Sequence, residues 1–215
     1  MNDWLAAPVI IPFVAAALAL AGRHQTALQC ASAMAAAALH VAVGAWLLHG
    51  VHHNGIIVLH VGNWPAPYGI TLVADHLGAL MVLITGIVYG AVAAYSRADI
   101  SEDCIRRGYY PFLHILVGGI SGAFLTGDLF NLYVWFEVML MASFALLVLG
   151  RTRGQLHGGV TYVIINLFAT LLFLTGLGLV YAMTGTLNLA HLHIRLQTIP
   201  DQGMVAAVSA LFLIA

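Results

Sequence analysis

Glu137 is the residue best placed by type and position to do chemistry. It lies nine residues past Asp128, inside an otherwise apolar run, NLYVWFEVMLMAS from Asn131 to Ser143. A helix starting at Asp128 carries it about 13–14 Å along its axis, at roughly 1.5 Å per residue. That is near the middle of a bilayer, where an unpaired charge is expensive. A carboxyl group there is either neutral or paired with a cation. One that passes between these two conditions takes up and releases a proton. The plainer role is a static hydrogen bond between helices. Every Arg falls outside the apolar runs, in what the sequence predicts as loops, and the chain has no Lys. A cationic partner must therefore be a histidine, a residue beyond Ala215, or part of another chain.

Other polar residues could serve this carboxyl group. Tyr133 and Met141 share its helix face, one turn away on either side, and the Tyr133 hydroxyl is in reach of a hydrogen bond. Tyr162, Asn166 and Thr170 recur at i, i+4 and i+8, so they form one helical stripe. They could hold waters leading towards Glu137 or bond neighbouring helices. His114 and His40 lie inside apolar runs and titrate near neutral pH. Each is a candidate proton carrier, a bundle-bonding residue or, in a distant alternative, an axial haem ligand. His49, His52, His53, His191 and His193 sit at helix ends or loops and read as interface-solvated. Asp75 and Asp128 stand where N-caps belong, and Asp128 is also a candidate for a proton exit. Gly118, Gly119, Ser121 and Gly122 form a small-residue face for close helix packing. Cys30 and Cys104 have neither metal nor disulfide spacing. No cofactor, metal or nucleic acid is expected.

The elements that position these residues follow from composition. Apolar residues make up 62% of 215 and charged residues 7%, with mean hydropathy +0.98. A soluble domain carries roughly a quarter of its residues as charges, so this is an all-α polytopic membrane protein. A span needs about 20 apolar residues. Six spans are predicted: Trp4 to Ala21, Ala27 to Leu48, Asp75 to Tyr95, Tyr110 to Leu125, Leu129 to Leu149, and Gly159 to Met183. A seventh run starts near Met204 and stops at Ala215, which suggests a truncated chain. Pro8 and Pro12, with no basic residue before them, argue against a cleaved signal peptide. Between spans two and three, the β-branched run Ile56–Val61 and the run Ile70–Val73 flank NWPAPYG, which predicts a small β-hairpin outside the membrane.

Arginine sets the orientation. With the N-terminus outside, the cytoplasmic loops hold Arg23, Arg97, Arg106, Arg107, Arg151 and Arg153, and the opposite loops hold only Arg195. That is a positive-inside pattern. It places the hairpin and the turn at Thr126–Asp128 on the outer side.

The segment TGDLFNLYVWFEVMLMASFALL, from Thr126 to Leu147, resembles the hallmark segment of the D subunits of Mrp-type multisubunit Na⁺/H⁺ antiporters. These subunits are related to the antiporter-like subunits of respiratory complex I. PVIIP at Pro8–Pro12, the hairpin ending in Asp75, YVIINL at Tyr162–Leu167 and ALFLIA at Ala210–Ala215 extend the resemblance along the chain. It implies that residues 1–215 are one membrane domain, the N-terminal part of a subunit of about fourteen helices. The hairpin would cover about 56–74, and the first of two inverted repeats would begin within about 110–215. In the family the acid of helix five pairs with a lysine on broken helix seven; Glu137 matches the acid, and the lysine would fall past Ala215. The implied setting is a bacterial inner membrane, with other Mrp subunits as partners and protons and Na⁺ as cargo. A proton-pumping subunit of complex I or of a membrane-bound hydrogenase is the related alternative.

Overall fold

The computed structural model describes residues 3–197, 199 and 202–214. The chain is mostly helical, with one small sheet. A 3₁₀ turn at Asp3–Ala6 leads into α1 (Ala7–Ala21), whose Pro8 occupies the first turn, where no backbone N–H is needed. Then come α2 (Thr26–Asn54), β1 (Ile57–His60), β2 (Thr71–Ala74) and α3 (His76–Asp99). The short α4 (Glu102–Arg106) precedes α5 (Tyr109–Leu125), α6 (Leu129–Leu147), α7 (Arg153–Thr184), α8 (Leu189–Leu196) and α9 (Gln202–Ile214).

Among the described residues, five helical segments are long and apolar enough to cross a membrane: Trp4–Ala21, Thr26–Asn54, His76–Asp99, Leu129–Leu147 and Arg153–Thr184. The expected fourth span is present as α5 but has only 17 residues, and α9 has 13. The last residue of the expected seventh run, Ala215, lies outside the described residues. Large apolar side chains remain exposed on the outer helix faces, among them Ile10, Leu18, Leu39, Ile87, Ile165 and Phe168. Such faces suit hydrocarbon rather than water.

Two helices run past their expected ends. α2 continues through His49, His52 and His53 to Asn54, which places these histidines on its last turns. α7 starts six residues before Gly159, because Thr152 and Gln155 form a reciprocal capping box there. The small sheet is antiparallel, β1 pairing with β2 and Ile57 lying opposite Ala74.

Several glycines face a neighbouring helix at a distance that leaves no room for a side chain. A Cβ on Gly44 of α2 would lie 2.8 Å from Leu83 Cα of α3, and one on Gly86 of α3 would lie 3.0 Å from Val41 N of α2. The small face of α5 works in the same way: Gly118 meets Phe13 of α1, while Gly119 and Gly122 meet Met139 and Trp135 of α6. α5 thereby sits between α1 and α6.

Candidate functional site

The position of Glu137 is set at the start of its helix. Asp128 caps α6, its Oδ1 accepting from Asn131 N at 3.0 Å, and Asn131 Nδ2 donates to Thr126 Oγ1 at 2.8 Å. The backbone before the helix is tied to two other segments. Gly127 N donates to Thr71 O of β2 at 2.8 Å, Leu129 N to Leu187 O at 2.9 Å, and Leu189 N to Gly127 O at 2.9 Å. Bridges pair Leu72 with Thr126 and Asp128 with Asn188. The hairpin and the 186–189 turn thus hold α6 in register, and Asp128 is engaged in capping.

Nine residues on, Glu137 is half-buried. Thr170 Oγ1 of α7 donates to its Oε1 at 2.7 Å. The stripe expected on α7 does face α6: Tyr162, Asn166 and Thr170 line one small cavity with Glu137. Tyr162 and Ser143 share a hydrogen bond of 2.9 Å, and Asn166 Nδ2 donates to Tyr162 O at 2.7 Å. A second cavity of about 310 Å³ joins Glu137 to Tyr133, Asn166 and Thr170, with Phe173 and Phe212 in its wall. The expected Tyr133 bond to the carboxyl group is replaced by that from Thr170; the Tyr133 ring stacks on Phe173, centroids 6.3 Å apart. Ser143, Phe173 and Phe212 carry no signal in the sequence, since only the packing of α6, α7 and α9 brings them here.

On the other side of α6, Glu137 lines a groove of about 730 Å³ whose remaining walls include Phe13, Phe112, Met141, Arg107 and Arg151. The two arginines share the groove, but Arg107 pairs with Asp103 and donates to Leu149 O at 3.2 Å. Among the described residues no cation pairs with Glu137: the salt bridges found are Arg106–Glu102 and Arg107–Asp103, both on α4 and its C-terminal flank.

His114 is not part of this site. It lines none of the cavities described for Glu137 and is buried between α3 and α5, its Nδ1 hydrogen-bonded to the Tyr89 hydroxyl. His40 lies in the same seam, with its Nε2 3.2 Å from Ser121 Oγ. The Tyr89 ring contacts both imidazoles, at centroid distances of 6.4 Å and 5.7 Å. Its packing against both leaves no slot for a porphyrin between them. No cluster of metal-ligand type occurs among the described residues.

The arrangement presents a carboxyl group with one oxygen held by a hydroxyl donor, beside mostly apolar cavities into whose walls Tyr133, Tyr162, Asn166 and Thr170 bring polar groups. Thr170 Oγ1 holds Oε1 in place. Thr170→Val removes that donor at nearly constant volume. A hydrogen bond to a charged group is worth about 1.5–3 kcal/mol, so proton transfer through Glu137 should slow by roughly tenfold or more. Proton uptake by vesicles carrying the variant, compared with Thr170→Ser, checks this.

Fold and site together define a polytopic helical membrane protein with an ionisable side chain held inside its bundle. Residues 126–215 match the family model described as "NADH:quinone oxidoreductase/Mrp antiporter, TM", and the resemblance read from Thr126–Leu147 extends along the whole chain, which is similar to curated antiporter D subunits over all of its residues. The chain is 40% identical over 215 residues to the D subunit of the Na(+)/H(+) antiporter of Alkalihalophilus pseudofirmus, covering all of this chain and 43% of that protein. It superposes on a chain of the Mrp complex from Dietzia sp. with a TM-score of 0.88 and 28% identity, covering 99% of this chain and 40% of the other. A chain of the membrane-bound sulfane sulfur reductase, an archaeal respiratory membrane complex, matches with a TM-score of 0.86 and 25% identity, over 98% of this chain and 43% of that one. The chain thus spans about 43% of the length of the curated relatives it matches.

Proposed function

We propose that the chain belongs to a proton-translocating subunit of a multisubunit Na⁺/H⁺ antiporter, with Glu137 as its proton-handling carboxylate. The observation that carries the reading is Glu137 itself: midway along an apolar helix, hydrogen-bonded by Thr170 at 2.7 Å, and lining cavities with Tyr133 and Asn166. The names of the relatives supply the transported ions. Tyr133, Asn166 and Thr170 then form a polar path to the carboxyl group. Asp128 acts through the cap that sets the height of Glu137. Residues 1–215 make six spans and the start of a seventh, within a subunit of about fourteen helices, and the first inverted repeat begins at about residue 110. The N-terminus and the hairpin face the periplasm of a bacterial inner membrane, an orientation that the arginine distribution supports. The lysine that would pair with Glu137 belongs to helix seven past Ala215, and other Mrp subunits complete the complex.

The related reading, a redox-driven pump, draws on the similarity to a chain of an archaeal respiratory complex. The identity of 40% to an antiporter subunit favours the first. The test is the full-length subunit in its complex, reconstituted into vesicles with an imposed pH gradient. Na⁺ added without any electron donor should collapse the gradient. A gradient that responds only to an electron donor would transfer the chain to the redox-driven class.

A further inference from the structure

Besides Glu137, the bundle contains a second set of buried polar groups, in the seam of α2, α3 and α5. On α2, Gln29 and His40 lie on one buried stripe with Ala33, Ala36 and Ala37. On α5, Tyr110, His114 and Ser121 lie on another with Val117 and Gly118. Gln29, His40, His114, Ser121 and Tyr110 are all 0% exposed, and Tyr89 of α3 is 2% exposed. The two stripes run parallel and in step: Cys30 lies beside Tyr110 at one end and His40 beside Ser121 at the other. From Tyr110 to Ser121 the seam extends about 16 Å, at roughly 1.5 Å per residue.

Hydrogen-bond accounting fixes the protons in this seam. Ser121 Oγ donates its one proton to Val117 O at 2.9 Å, so towards His40 Nε2 it acts as acceptor. His40 therefore carries its proton on Nε2 and presents a bare Nδ1. The Tyr89 hydroxyl is bonded to His114 Nδ1; when the phenol donates, His114 carries its proton on Nε2. Three atoms in the seam have no partner among the described residues, Gln29 Oε1, His114 Nε2 and His40 Nδ1, and the Tyr110 hydroxyl has the Cys30 thiol beside it. Buried polar atoms are nearly always satisfied, by protein or by water. Here a donor, His114 Nε2–H, and an acceptor, His40 Nδ1, belong to two imidazoles that both lie against the Tyr89 ring. Such a set suits water molecules with two or more polar contacts each.

We propose that this seam is a water-linked proton relay, running from Gln29 and Tyr110 through His114 and Tyr89 to His40 and Ser121, and separate from Glu137. In its elementary step, a proton reaches the Tyr89 oxygen from a hydrated proton on one side. The phenol passes its own proton to His114 Nδ1, and His114 Nε2–H gives its proton to water on the other side. Both rings are neutral before and after, and only O–H and N–H bonds change. The Gln29–Tyr110 end is the one with polar neighbours, Gln29 Nε2 donating to Arg23 O at 3.1 Å. Cys30, Tyr109 and Arg97 are the titratable and charged groups beside Tyr110 at that end.

Its role in transport rests on the proton-translocating reading above; its hydration does not. The test uses the full-length subunit in its complex, in lipid vesicles, with ¹⁵N-histidine labelling and solid-state NMR. Magnetisation started on water should reach two neutral Nε2–H imidazoles, identified by their disappearance in His40→Gln and His114→Gln. Tyr89→Phe, which removes one hydroxyl, should lower proton exchange at least tenfold at unchanged yield of complex. A dry His114 signal overturns the proposal, and so does wild-type exchange in Tyr89→Phe. If the wild-type complex exchanges no protons at all, the proposed function fails, and the NMR signal alone then decides the hydrated seam.

Discussion

Glu137→Gln should abolish coupled exchange in the assembled complex, lowering the rate by about 100-fold or more, the range typical for loss of a proton-transferring side chain. The substitution is chosen for what it keeps. Thr170 Oγ1 donates to Glu137 Oε1 at 2.7 Å, and the carbonyl oxygen of an amide accepts the same bond. The amide nitrogen takes the place of the other oxygen, at nearly the same volume. Packing against α7 therefore survives, while the group can no longer take up and release a proton. The measurement is Na⁺-driven dissipation of a pH gradient, alongside the thermal unfolding of the complex. Unchanged unfolding with lost exchange supports the role; unchanged exchange removes Glu137 from the mechanism. Glu137→Asp adds a graded control. It retains a titrating carboxyl but withdraws it by one methylene from Thr170, so it should fall between wild type and Gln.

The two variants at this site differ in kind. Thr170→Val takes away a donor that holds one oxygen of the carboxyl group in place, whereas Glu137→Gln takes away the titrating group. The first should slow exchange and leave it coupled to Na⁺; the second should leave nothing to couple. If both variants lose exchange equally, Thr170 is itself an obligatory step of the path.

What could be read from the sequence follows the physics of each feature. The apolar runs were legible because a bilayer imposes a length, and α1, α3, α5 and α6 begin or end within a few residues of the expected limits. The last turns of α2 and the first turns of α7 were missed because His52, His53, Arg153, Gln155 and His157 lower the local hydropathy. Helix extent there is decided by capping and hydrogen bonds instead. α4 is too short for a periodic signal, and α8 spans only eight residues although its Leu189, Leu192 and Leu196 recur at helical spacing. Glu137 was legible because one charge in an apolar run has few explanations. Its partner was only half legible. The spacing of Tyr162, Asn166 and Thr170 gives a common face, but which of them reaches the carboxyl group depends on the offset between α6 and α7. His40 and Ser121 are 81 residues apart, and nothing in the local sequence of either predicts that they meet.

The same distinction between local pattern and tertiary offset governs the largest effect expected on assembly. Gly44→Leu should prevent α2 and α3 from pairing, and with it the yield of folded subunit in the membrane. Even the Cβ of such a side chain would sit 2.8 Å from Leu83 Cα and 3.0 Å from Leu83 N. Both are backbone atoms, which move only if the helices part. Overpacking a tight interior costs about 1–3 kcal/mol where side chains give way; here they cannot, and the loss should exceed that range. Gly44→Ala tests the cause in its mildest form, and shaving the neighbour with Leu83→Ala should not restore it, because the side chain of Leu83 is not the main obstacle. Gly122→Ala makes the opposite case. Its Cβ would fall 2.4 Å from ring atoms of Trp135, so Trp135→Leu should recover much of the lost stability. Membrane yield and thermal unfolding of these variants separate the two contacts. Rescue of Gly44→Ala by Leu83→Ala would show that α2 and α3 are held apart by side chains and are not in backbone contact.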